Sequence, residues 1–376
     1  MAAAYLLAVL LAIAPAASAA EASLDAFLRQ ALEAARSKHH VPAVAALVEV
    51  RGSAVAEAVG IRAEGHPETA SVDDRWQIGS DTKAFTATLV ARLADRGVLS
   101  LDDTLPRLLP AMAGAMDPAY RSVTLAQVLS HTAGLAPLTD GKELPAFMEV
   151  IRGAGDVRAQ RAAAARHYLA RRPASKAGGF VYSNLGYIIA GAIVEARTGK
   201  SWEELVREEV FAPLGITHAG FGPPGTSARI DQPRGHRPSP GGLGALDPAD
   251  PLSDNPPALG PAGTINISLA DWARFARDQM DGARGHGKLL SAAAYRRLQT
   301  PVTGNYALGW GAKLDASGTP VILAHTGSNG YWLADIRILP ADGLIELVAM
   351  NAGDSDAQKA LEEIQAALRE RFKPQR

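Results

Sequence analysis

The chain has 376 residues, 47% of them hydrophobic, a formal net charge of -1 at pH 7 and no cysteine. These numbers exclude a disulfide framework and a lipid-attachment cysteine, and balanced charge without a basic stripe argues against nucleic acid as a partner. The length suits one large domain or two.

The first residues read as an export signal. Residues 5–13 form an apolar core too short to span a membrane, and Ala17-Ser18-Ala19 is a small-residue cleavage site. The n-region carries no lysine or arginine, so its positive charge is the amino terminus alone. This predicts a signal peptide over 1–19 and a periplasmic or secreted mature chain; no later run is long enough for a membrane anchor. Ser23 is placed to cap a helix whose apolar face is Leu24, Phe27, Leu28, Ala31 and Leu32. After Pro42, strand-like runs at 43–50 and 54–60 flank Arg51-Gly52-Ser53, a hairpin signal.

Residues 76–83, Trp-Gln-Ile-Gly-Ser-Asp-Thr-Lys, close a short apolar run and open a helical one over 84–96, with Phe85, Leu89 and Leu93 at every fourth position and Gly97 as a stop. Ser80 then lies at a helix N-terminus, with Lys83 one turn on and on the same face. A serine hydroxyl needs a base, and a lysine serves only if burial or a neighbouring cation lowers its pKa. The same spacing also describes a helix cap followed by a solvated lysine, so the motif alone is weak.

From Ser80 to about residue 220 the pattern is helical. Thr124–Gln127 and Ser201–Glu204 are capping boxes, and 156–170 and 185–197 read as helices. Residues 221–263, rich in proline and glycine, predict a long irregular crossing. A helix at 269–280 follows, then strand-like runs at 306–314, 321–325, 332–339 and 344–350, and a last helix at 354–372. The expected fold is α/β (α+β): a sheet-containing domain from 20–79 and 256–376, with a mainly helical domain, 80–255, inserted between its halves. A cleft at their junction is a common place for a substrate.

Two further stretches carry chemistry. Tyr182-Ser183-Asn184 stands directly before a helix: the tyrosine can pass protons, and Asn184 can hold the lysine amine or a substrate carbonyl. The alternative is a packed tyrosine and an asparagine cap. His325-Thr326-Gly327-Ser328 ends a late strand. There the amides of Ser328 and Ser80 can form an oxyanion hole, and His325 and Thr326 can meet a substrate carboxylate or polarise the tyrosine. The alternative is a glycine-rich turn. Leu129–Leu135 contains His131, read as structural at a helix C-terminus, and Gly260–Thr264 either lines a cleft or turns. No Gly-x-Ser-x-Gly, His-Glu-x-x-His, P-loop or dinucleotide glycine fingerprint is present.

Ser80-x-x-Lys83, Tyr182-Ser183-Asn184 and His325-Thr326-Gly327, in this order, resemble the serine β-lactamase and penicillin-binding protein family, in its class C β-lactamase and DD-peptidase branch. Leu129–Leu135, Gly260–Thr264 and Tyr306-Ala307-Leu308-Gly309-Trp310 also look like family signatures, and the likeness spans nearly the whole mature chain. The resemblance implies an antiparallel sheet with helices on both faces beside an all-helical domain, the active site between them. It also implies acyl-enzyme chemistry: Ser80 as nucleophile, Lys83 and Tyr182 sharing the proton work, the Ser80 and Ser328 amides holding the oxyanion, and Asn184 orienting the substrate. No metal or organic cofactor is called for.

Most class C β-lactamases have lysine where this chain has His325; the His-Thr-Gly form is similar to Streptomyces-type DD-carboxypeptidases and to esterases and peptidases of the branch. The expected substrate is a β-lactam or a D-alanyl peptide. The alternatives are a carboxylesterase or D-aminopeptidase with the same residues, and then a non-hydrolytic penicillin-binding sensor. A monomer is expected.

Overall fold

The computed structural model describes residues 16–139 and 141–373. Residues 5–13, read from the sequence as the core of an export signal, lie outside them. Helix α1, Ala16–Lys38, runs through Ser23, so that serine is not its N-cap as the sequence suggested. The strands follow in chain order as β1 (Ala43–Val50), β2 (Ser53–Gly60), β3 (Arg75–Gln77), β4 (Ala219–Phe221), β5 (His236–Ser239), β6 (Gly242–Ala245), β7 (Ile265–Ser268), β8 (Gly311–Leu314), β9 (Pro320–Ser328), β10 (Leu333–Leu339) and β11 (Leu344–Met350). The principal helices after α1 are α2 (Thr82–Asp95), α3 (Leu125–Leu129), α4 (Val157–Leu169), α5 (Asn184–Thr198), α6 (Trp202–Val206), α7 (Gly260–Gly263), α8 (Leu269–Ala283) and α9 (Ser355–Arg371).

Six strands form one antiparallel sheet in the order β2-β1-β11-β10-β9-β8. The two ends of the chain therefore meet in its middle, where Val44 of β1 pairs with Met350 of β11. Strand β1 is apolar on both faces because both are covered. Ala43, Ala45 and Leu47 enter the large core that includes Phe275 and Ala276 of α8. Val44, Ala46 and Val48 face a second core with Leu28 and Leu32 of α1 and Leu361, Ile364 and Leu368 of α9. The β1–β2 turn uses Arg51 and Gly52 at φ 51° and 90°, the left-handed pair a two-residue hairpin wants. The Arg51 N–H donates to the Gly343 carbonyl at 2.8 Å, which holds the arginine in that conformation.

Helix α2 is buried on nearly every side, including Lys83, and Phe85 stacks on Phe275 with ring centroids 3.7 Å apart. Both predicted capping boxes form, Thr124 with Gln127 and Ser201 with Glu204. The N-cap of α5 is Ser183 rather than Asn184: the Ser183 hydroxyl accepts from the Gly186 N–H. The proline-rich crossing at 221–263 is ordered, with the β5–β6 hairpin and the short helix α7. One strand is shorter than its sequence pattern. Only Gly311–Leu314 of the run 306–314 joins the sheet. Residue 309 instead presses on α2, where a Cβ would lie 2.6 Å from the Lys83 carbonyl oxygen, and only glycine, here at φ 75°, tolerates that approach.

Candidate active site

Strand β3 pairs with β7 and delivers the chain into a tight turn, Gly79–Asp81, directly before α2. Ser80 is partly exposed on that turn, whereas Lys83 is wholly buried. Helical spacing brings the two together: Lys83 Nζ donates to Ser80 Oγ at 2.9 Å and to the Ala262 carbonyl of α7 at 2.7 Å. Burial brings the ammonium down to about 7, with the Asp81 carboxylate pulling the other way. Near neutral pH a large share of the amine is therefore free to accept a proton. The segment that supplies Ala262 is itself anchored, since the buried Arg161 donates to the Pro257 and Ala258 carbonyls while paired with Glu195 and Glu203.

Tyr182 closes the third side. Lys83 Nζ lies 5.0 Å from its ring centroid. Burial raises the phenol's pKa against the opposing effect of a hydrogen bond with Ser80, so at rest it is a neutral hydroxyl. His131 fixes the tyrosine's backbone on both sides: its carbonyl accepts the Val181 N–H at 2.8 Å and its Nδ1 accepts the Ser183 N–H at 3.0 Å. Burial, then the Lys83 charge, pushes His131 far below the usual imidazole range, so it is neutral. Because a backbone N–H can only donate, the proton of this neutral ring sits on Nε2 and goes to the Tyr306 oxygen at 3.1 Å. The Tyr306 proton then faces His325 Nε2 at 3.3 Å, leaving the His325 proton on Nδ1, 3.2 Å from the Asp81 carboxyl and 3.0 Å from the Thr326 carbonyl. A directional chain thus runs behind the site from Ser183 to Asp81. Tyr306→Phe breaks it at its middle. The expected result is a loss of about 1–2 kcal/mol in denaturant unfolding and a several-fold lower turnover, from two buried imidazole nitrogens left without partners; unchanged values on both counts would show that the chain carries no load.

The third motif departs from its expected roles. His325 is buried, with 6% of its side chain exposed, and is no part of the cleft wall. Burial first, then Lys83, lowers it to about 3, so it is neutral and its nitrogens are engaged by Tyr306, Asp81 and Thr326. It does not stand where it can meet a substrate carboxylate, and the tyrosine it bonds is Tyr306. Thr326 points to the other side of the strand, where its hydroxyl donates to Asp335 Oδ1 at 2.6 Å. Strand alternation explains the pair: His325 and Gly327 face the Ser80 turn, and Thr326 faces away. A Cβ on Gly327 would lie 2.6 Å from the Ser80 nitrogen, and one on Gly79 2.4 Å from the Ser328 nitrogen. Two glycines thus let the Ser80 and Ser328 amides approach each other across the gap. Asn184 is likewise not a partner of the lysine. Its Nδ2 donates to the Leu138 carbonyl at 2.8 Å and its buried Oδ1 has no partner among the described residues.

Ser80, Asn184 and Ser328 open on a cleft of about 600 Å³ that also meets Leu138, Leu144, Met148, Leu252, Leu259 and Tyr331. No lysine or arginine is among the described residues lining it. Among the described residues no cluster of three or more His, Asp or Glu side chains is arranged to hold a metal ion. Sequence reasoning missed the Tyr306 hydroxyl and Asp81 as members of this site. The available signals were that Asp81 sits inside the Ser-x-x-Lys motif and that Tyr306 opens a family-like stretch.

The β-lactamase family model matches residues 24–369. Penicillin-binding protein 4 of Amycolatopsis lactamdurans is 32% identical over 340 residues, covering 86% of this chain and 84% of that one. Among solved structures, a D-stereospecific amidohydrolase from Streptomyces sp. is 24% identical with a TM-score of 0.67, over 90% of this chain and 97% of its own. A class C β-lactamase from Rhodobacter sphaeroides is 21% identical with a TM-score of 0.69, over 91% and 99%. At these identities the two structures show a shared fold. With the family model spanning nearly the whole chain, this protein belongs to the β-lactamase family and is a serine hydrolase.

Proposed function

We propose that the protein is an exported acyl hydrolase that opens β-lactams or cleaves D-alanyl peptides through an ester on Ser80. The observation that carries this is the Lys83 amine, drawn down to about 7 in a dry pocket and hydrogen-bonded to Ser80 Oγ at 2.9 Å. In its neutral form the amine takes the Ser80 proton as Oγ attacks the substrate carbonyl. The oxyanion is held by the Ser80 and Ser328 amides, which require no reorganisation when charge develops. Tyr182, a neutral phenol beside both Ser80 and Lys83, hands a proton to the departing nitrogen and is resupplied from the lysine. Water then releases the acyl group. The likeness to the Amycolatopsis penicillin-binding protein supports the substrate class, and the leader read at 1–19 supports export.

One observation favours a second reading. A cleft whose described lining mixes apolar side chains with Asn184, Asn255, Asn329 and the acidic Asp254, and includes no lysine or arginine, offers no cation to a free carboxylate, which suits a neutral ester better than a penicillin. Intact mass of the purified protein during exposure to benzylpenicillin separates the two, with penicillin loss followed in parallel. A full-mass adduct that appears and decays, or rapid penicillin loss without an adduct, is the expected result. Neither adduct nor loss, together with turnover of p-nitrophenyl butyrate, transfers the assignment to a carboxylesterase.

A further inference from the structure

Asp254 stands in the proline-rich crossing, eight percent exposed, and its Oδ1 accepts three N–H groups. These come from Gln77 Nε2 at 2.8 Å, Asn329 Nδ2 at 2.7 Å and its neighbour's backbone, Asn255 N, at 2.7 Å. The orientation of both amides is forced. Gln77 Oε1 accepts the Gly79 N–H at 2.6 Å, and Asn329 Oδ1 accepts the Tyr331 and Trp332 N–H groups at 3.0 Å each. Backbone N–H groups only donate, so the NH2 end of each side chain has to point at Asp254. Gln77 Nε2 also donates to the Gly263 carbonyl at 2.9 Å, and Asn255 Nδ2 meets the same carbonyl at 3.1 Å. One arm of this cluster therefore ends on the residue before Ser80, the other on the residue after Ser328.

We infer that Asp254 is a positioning residue whose single carboxylate oxygen ties the turn bearing the Ser80 amide to the loop following the Ser328 amide, setting the width of the oxyanion gap. The inference rests on the oxyanion reading given above. Glycines 79 and 327 bring backbone directly against backbone at the gap, so a small shift of either segment changes its width. An error of about 1 Å in such a gap costs catalysis roughly 100-fold. The second oxygen, Oδ2, is buried and has no partner among the described residues. Burial lifts the carboxyl to about 7 against the pull of the three N–H bonds. Burying a carboxyl is costly, and this one is held in contact with the two segments that frame the reaction centre.

The test measures kcat and KM with p-nitrophenyl acetate, and Kd for phenylboronic acid, a tetrahedral mimic that seats an oxygen in the gap. Asp254→Ala, Asp254→Asn, Asn329→Ala, the double variant Asp254→Ala/Asn329→Ala and Ser80→Ala are compared with the parent, each with its Tm. Asp254→Ala is expected to lower kcat and boronate affinity together by roughly 10- to 100-fold, with KM within about twofold. Asp254→Asn, which keeps an acceptor oxygen, recovers most of that loss. In the Asn329→Ala background, removing Asp254 adds little.

If Asp254→Ala does not fold, Asn329→Ala alone decides, by showing or lacking the joint loss of kcat and boronate affinity. A lowered Tm with turnover per folded molecule and boronate affinity unchanged reduces Asp254 to a structural residue and overturns the proposal, as do fully additive losses. If Ser80→Ala remains active, the nucleophile reading falls and the clamp with it. If Ser80→Ala is inactive while Asp254→Ala behaves as the parent, the clamp alone falls.

Discussion

Ser80→Ala lowers kcat/KM by roughly ten-thousand-fold or more, because the other groups of the site act on a nucleophile that is no longer there. The fold is unaffected: Ser80 is partly exposed, and Lys83 keeps the Ala262 carbonyl as a partner. Thermal unfolding within a few degrees of the parent, together with complete loss of any covalent adduct, is the expected pair of results. Activity within about tenfold of the parent would sink the assignment, since residual binding and an oxyanion hole do not replace a covalent step on that scale.

Lys83→Met gives the opposite combination, lower activity in a more stable protein. Turnover falls roughly 100- to 10,000-fold with the loss of the general base. Stability at neutral pH rises by about 1–3 kcal/mol, because relief of the desolvated ammonium outweighs the hydrogen bond lost to the Ala262 carbonyl. The sign follows from linkage. The folded-state pKa of Lys83 is lowered from 10.5 to about 7, so between those values the unfolded chain binds a proton that the folded one does not. The lysine's penalty is absent above 10.5, grows as pH falls through that window, and is complete below about 7. In the parent, stability therefore climbs with pH across this range; in the methionine variant that slope shrinks by up to one proton. Denaturant unfolding at three pH values checks it, and an identical slope in both proteins would remove the buried amine from the account. The same titration gives the parent's acylation rate an ascending limb through about pH 7.

Much of the site is legible in the sequence because it is local. Three residues of helix put Lys83 beside Ser80 whatever the rest of the chain does, and the two capping boxes mark helix starts by a chemistry confined to four residues. Strand alternation also says that His325 and Gly327 share a face. It does not say which face, and so it left open whether His325 looks into the cleft or backs onto Tyr306. Thr326 shows the same gap in the reasoning: its partner Asp335 is set by the register between β9 and β10, which no local pattern reveals. Asp254 was invisible for a stronger reason. Its meaning comes from Gln77 and Asn329, 177 and 75 residues away, and its own neighbourhood lacks the periodicity from which burial is read.

The pairing of β1 with β11 has a consequence for how the enzyme comes into being. These neighbours are separated by about 300 residues, and β9, the strand that presents Ser328, joins the sheet through β10 and β11. Closing a loop of that size precedes any reward from the contacts it makes, so the β1–β11 junction that joins the two parts of the sheet cannot form before β11 is present. A nascent chain of 300 residues already holds Ser80, Lys83 and Tyr182 and still has no oxyanion hole.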